Sequence, residues 1–227
     1  MWMTKIMDIF TAPTKVFTSL KEKPEWVTPF IIVLVVVALG AAMTVGMTKD
    51  TIIAKQEEAM IERGMSDEQI EQALKVMSGP FMIVTSAIGA AVFIVVVLLL
   101  FSFVVNLLIP VFDGTRGFKI VFSVICFSAL IKVPGALLRL ILIAMTKSPF
   151  VTTSLALVVP NLAKDSFAYQ LLASFDFFII WEMILVGLGI SITNEIKKQN
   201  AYVLIFLVWA VSVLIGILLG LLRGPGG

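Results

Sequence analysis

Apolar positions in this chain gather into five long blocks, and the polar positions are swept into the gaps between them. The blocks cover residues 27–47, 81–109, 118–145 (with interruptions), 171–193 and 201–222. A hydrocarbon core about 30 Å thick takes roughly 20 residues of helix at 1.5 Å each, and every block reaches that length. The pattern predicts an all-α membrane protein, a five-transmembrane-helix bundle whose N-terminus is not a cleaved signal, since the first block begins only after residue 26.

The gaps have patterns of their own. In residues 1–26, Ile6, Ile9, Phe10, Pro13, Phe17 and Leu20 recur at helical spacing, with Lys5, Asp8, Lys15 and Lys21 off that stripe. Pro13 suits the first position of a helix, where its missing N–H costs nothing. Pro24 ends that helix ahead of Trp26, a residue type that anchors at the membrane interface. The expectation is an arm lying on the headgroups, with partner docking as the sharper reading. Residues 48–79 carry seven acids against four bases. Gly64 separates two helical patterns there. Ser66 with Gln69 reads as a capping box, and Met65 with Ile70 as the staple across it. That gap is predicted to be an extramembrane helical hairpin, read first as a solvated cap over the bundle and second as a binding platform. The link 147–172 contains a short apolar piece, 155–159, ended by Pro160 and too short to cross.

Composition adds exclusions. Hydrophobic residues make up 59% and charged residues 14% of 227 positions, so the spans and their links use nearly the whole chain, read as a single membrane domain over 1–227. A net charge of +2 gives no case for nucleic acid. With no histidine and a single cysteine, Cys126, no cofactor or metal is expected and no catalytic constellation is visible. Lysines and arginines number eight on one set of gaps and seven on the other. The basic cluster before the first span and the two short basic links favour a cytoplasmic N-terminus and an external C-terminus.

Four charges sit inside the third and fourth blocks: Lys132, Arg139, Asp176 and Glu182. Each costs roughly 2.5–3.5 kcal/mol at a helix centre on insertion scales, so each needs a partner, water or the interface. Antiparallel neighbours have a nearly constant sum of residue numbers. Lys132 with Glu182 and Arg139 with Asp176 agree in that sum to within one, so a single register serves both pairs. The spacing of Asp176 and Glu182, six residues, puts them on different faces, which leaves Asp176 the alternative of a helix-dipole acid. Pro134 frees backbone carbonyls beside Lys132, and Gly187 and Gly189 permit close helix approach. Asn106 is the one strongly polar side chain of the second block. Together the five polar residues form a candidate intramembrane network. It is read first as register-holding ion pairs and second as an ion pathway or polar ligand pocket.

The stretch Pro13-x-x-x-Phe17-x-x-Leu20-x-x-x-Pro24-x-Trp26-x-x-Pro29 resembles the approach to the first span in Yip1-domain membrane proteins. So does Phe175-Asp176-Phe177-Phe178-Ile179-Ile180-Trp181, followed by Leu185, Gly187 and a basic link. The layout is similar to the prokaryotic branch of that family. The resemblance implies a five-helix bundle with a cytosolic N-terminus and, in eukaryotic relatives, non-enzymatic binding of small Rab-type GTPases. This chain lacks their long N-terminal region and their Asp-Leu-Tyr-Gly-Pro motif, so GTPase binding does not carry over.

The expected function is a non-enzymatic scaffold or accessory factor for other membrane proteins in the cell membrane, serving membrane organisation or an export complex. Its expected partners are the lipid bilayer, other membrane proteins and further copies of itself. The carriers would be the hairpin, the bundle faces and the arm residues Phe10, Pro13, Phe17, Pro24 and Trp26. The alternative is a small transporter or channel built on the charge network. An enzyme is the weakest class, because the six-residue spacing of Asp176 and Glu182 argues against a two-carboxylate cleft.

Overall fold

A computed structural model describes residues 2–77, 79–149, 151–159, 161–163 and 166–222. The expectations placed on Pro160, and the charges of Lys164 and Arg223, lie outside those residues. The helices are α1 (Trp2–Thr11), α2 (Pro13–Glu22), α3 (Val27–Glu62), α4 (Asp67–Met77), α5 (Phe81–Leu108), α6 (Phe118–Ala129), α7 (Lys132–Thr146), α8 (Phe167–Ser174), α9 (Phe177–Thr193) and α10 (Lys198–Leu222). Short 3-10 turns lie at Ile109–Phe112 and Leu155–Val158.

Four stretches are long and apolar enough to cross a bilayer: Val27–Glu62, Phe81–Phe112, Phe118–Thr146 and Lys198–Gly220. Phe177–Thr193 is apolar but shorter, about 26 Å at 1.5 Å per residue. The predicted fourth span, 171–193, is thus not one continuous helix. It breaks at Phe175–Asp176, where Asp176 leaves the helical region (φ −91°, ψ 139°) and its carboxylate caps α9. The third span is also divided, by a turn at Leu130–Ile131. Pro134 has no N–H for the carbonyl of residue 130, so the helix restarts at Lys132 with Pro134 in its first turn.

α6 is the central pillar. Every residue from 121 to 131 is buried, enclosed by α2, α3, α5 and α9. The outer helices face the other way: Phe93, Leu100, Phe103, Leu207 and Leu218 are all more than half exposed, as lipid-facing helices require. Two buried hydroxyls inside the bundle are met locally. Ser102 and Ser123 donate to the carbonyls of Leu98 and Lys119, one turn back.

Contacts sort the helix ends into two sets. At the arm end, Trp26 packs on Phe122, Lys21 pairs with Glu195 at 2.9 Å, and the N–H of Thr115 donates to the carbonyl of Asn194. At the hairpin end, Thr51 donates to the carbonyl of Lys147, and Ser154 forms a β-bridge with Asp176. The pairs Trp26–Phe122 and Thr51–Lys147 share the same difference in residue number, so α3 and the α6–α7 stretch run parallel in register.

The arm does not lie flat with its apolar face on lipid. Ile9, Val16, Phe17 and Leu20 are fully buried, because α2 packs along α9 and α6. Gly189 opens the groove that receives it: a β-carbon there would stand 3.0 Å from the Phe17 ring and 2.4 Å from Val124, whereas Gly187 gives room to the Tyr202 ring of α10. Lys5 Nζ meets Glu25 at 2.9 Å and Lys23 meets it at 3.4 Å, which holds the Glu25 carboxyl below its ordinary range, mainly through the Lys5 hydrogen bond.

Residues 48–79 are helical on both sides of a turn, with Gly64 at φ +71°, a region glycine enters without a Cβ penalty. The first limb is not a separate helix but the continuation of α3. Ser66 and Gln69 form the reciprocal capping pair: Ser66 N–H donates to the Gln69 side chain at 3.1 Å, and Gln69 N–H to Ser66 Oγ at 3.4 Å.

Candidate functional site

α7 carries Lys132 and Arg139 seven residues apart, two turns along one face. α9 runs against α7, and Lys132 Nζ lies 2.7 Å from Glu182 Oε2. The two partners differ in environment. The Glu182 side chain is 4% exposed, whereas that of Lys132 is 37% exposed. The contact is electrostatic, since Glu182 Oε2 has no aligned hydrogen-bond donor among the described residues. Ser128, one turn before Lys132, also has a buried hydroxyl without a partner.

Arg139 and Asp176 do not pair. Asp176 Oδ1 accepts the N–H groups of Phe178 (2.8 Å) and Ile179 (3.3 Å), and Oδ2 accepts the hydroxyl of Thr153. The carboxylate is therefore spent on the α9 N-terminus, where a helix start most favours an anion. Arg139 donates to the carbonyl of Pro149 at 3.4 Å, and no carboxylate among the described residues lies within 4 Å of it.

Lys132, Arg139 and Asp176 nevertheless line one cleft of about 440 Å3, walled by Val36, Val37, Gly40 and Ala41 of α3 and by Phe178 and Ile179 of α9. Close approach of α7 to α9 depends on Gly135, where a β-carbon would meet the Phe178 ring at 2.6 Å. By the parallel register, Lys132 stands level with Val36, about 14 Å along α3 from Val27, and Arg139 with Met43, about 24 Å along. The cleft therefore runs from mid-depth toward the hairpin end. Toward the arm end, the buried run 121–131 closes it off.

Asn106 is not brought to this group. Its Oδ1 accepts the N–H of Gly117 at 2.9 Å and so caps the start of α6 at the arm end. The arm residues occupy separate places. Phe10 meets the Trp181 ring edge-on at 6.4 Å, Pro13 opens α2, Phe17 is buried beneath α9, Pro24 lies between α2 and α3, and Trp26 packs on Phe30 and Phe122. Thr153 and Gly40 escaped the sequence reading. A run of hydroxyls at 152–154 and small residues at 40–42 were the visible signals, but neither says which helix it faces.

A bundle of long apolar helices around a buried pillar, with the Lys132–Glu182 ion pair inside it, defines a multi-pass integral membrane protein. The chain belongs to the Yip1 domain family, whose sequence model matches residues 7–220. It is similar to Membrane protein YknW of Bacillus subtilis (strain 168), with 25% identity over 224 residues, covering 98% of this chain and 92% of that protein. No solved structure matches it.

Proposed function

We propose that this protein is a non-enzymatic scaffold or accessory factor for other membrane proteins, in membrane organisation or an export complex. The chain acts as one membrane domain in the cell membrane, crossing it five times with a cytoplasmic N-terminus and an external C-terminus. The observation that carries this reading is the hairpin. α3 continues as helix to Glu62, about 22 Å beyond residue 47, and α4 folds back on it through buried Ile70. A rigid, acidic projection with exposed Ile61 and Val76 results, which is a surface for another protein rather than for lipid.

The test is co-purification in mild detergent, read by mass spectrometry, with wild type beside Ile61→Asp and Val76→Asp. A membrane protein recovered with wild type and lost with both variants supports the scaffold; no enrichment over a tagged control overturns it. Reporter fusions within 48–79 and after Leu222 should both read as external. Both reading internal would invert the orientation, and opposite readings would break the five-pass count.

One observation favours a small carrier as the second reading: the cleft reaches Lys132 at mid-depth. Against it stands the packed run 121–131. Thiol reagents reaching a cysteine placed at Lys132 from both sides of the membrane would favour the carrier.

A further inference from the structure

Arg139, inside the third span, has no carboxylate within 4 Å among the described residues and meets only the Pro149 carbonyl at 3.4 Å. Its guanidinium stands about 24 Å along the bundle from the start of α3, close to the hydrocarbon boundary at the hairpin end. The nearby acid, Asp176, has both oxygens engaged by Phe178, Ile179 and Thr153. Lys132, at the floor, already faces Glu182. An anion from outside the chain would complete the site.

Two cavities meet at Arg139. One is the cleft of about 440 Å3, apolar along Val36, Val37 and Gly40. The other, about 430 Å3, is more polar and is lined by Arg139, Thr152, Thr153, Tyr169 and Asp176. Each falls within the roughly 300–1,000 Å3 of small-molecule sites. An apolar slot and a polar chamber joined at one arginine match a molecule with a chain on one side and a charged head on the other.

We propose that this double cavity binds a phospholipid from the leaflet at the hairpin end, with the lipid phosphate on Arg139, the headgroup toward Thr152 and Tyr169, and an acyl chain along Val36 and Gly40. Arginine is suited to this task, because its planar fork takes two phosphate oxygens at once. The chain has room at Gly40, where a β-carbon would meet nothing within 4 Å. The site stands independently of the scaffold reading.

Native mass spectrometry of the delipidated full chain tests it, with three probes: dioleoyl phosphatidylglycerol, dioleoylglycerol (the same chains without phosphate) and inorganic phosphate. Wild type should hold one phosphatidylglycerol, with dioleoylglycerol weaker by about tenfold or more, a difference of roughly 1.4 kcal/mol. Arg139→Gln should weaken phosphatidylglycerol by a similar factor, while Arg116→Gln, at the arm end, leaves it unchanged. Gly40→Leu, which fills the slot without touching the charge, should weaken it as well, and it serves as the reading if Arg139→Gln melts below wild type. Equal binding by wild type and Gly40→Leu overturns the proposal. So does equal binding of the two lipids, or displacement of the lipid by an equal concentration of inorganic phosphate.

Discussion

The ring of Phe17 is seated directly on the backbone of Gly189, so close that any side chain at 189 would stand within 3.0 Å of its Cε1. That contact makes the arm part of the bundle. It also covers the arm-end half of α9, which is apolar but shorter than the four long stretches.

Gly189→Ala should lower stability by about 1–3 kcal/mol, the usual cost of forcing a methyl into a packed site. Phe17→Ala should cost about 3–5 kcal/mol through the cavity it leaves. Because both changes act on one contact, the double variant should lose less than the sum. Thermal melts in a single detergent check this, and strict additivity would show that the arm and α9 are not coupled.

The Lys132–Glu182 pair should respond asymmetrically to removal of either charge. Lys132→Leu strands a carboxylate that is 4% exposed, so a loss of about 3–5 kcal/mol is expected. Glu182→Leu leaves an ammonium that reaches the cleft, and the loss should be smaller. The double Leu variant should recover most of the deficit, since both charges are then gone. Folded yield and melting temperature measure all three; equal and additive losses would rule out a direct pair.

Acid should weaken the hold of the arm through Glu25. Lys5 first, and Lys23 with it, hold this carboxyl below its ordinary value of 4.5. A depressed carboxyl contributes stability above its unfolded value, and that stability is lost as pH falls through the folded one. The melting temperature of wild type should therefore exceed that of Glu25→Gln between pH 6 and 8, and the gap should close below about 4.5. Glu25 is 35% exposed, so the gap is small. A gap that widens in acid would contradict the assignment.

Periodicity and length were enough to read the membrane class, the four long spans and the capped turn at Ser66, because each depends on residues within a few positions of one another. The Lys132–Glu182 contact was legible for a related reason: a charge in a span needs a partner, and an antiparallel register offers few. The fate of Arg139 was not legible. The choice of Asp176 between Arg139 and the α9 N-terminus turned on a helix break at Phe175–Asp176, which the apolar residues on both sides conceal.

Local hydrophobic pattern by itself determined which segments enter the bilayer, since transfer from water depends on each segment's own surface. Only the tertiary structure decided which faces meet inside it, because every apolar face is equally at home against lipid. There, shape and unmet polar groups make the choice. Phe17 found the groove at Gly189, Asp176 found the N–H groups of α9 and the hydroxyl of Thr153, and Arg139 was left facing a cleft.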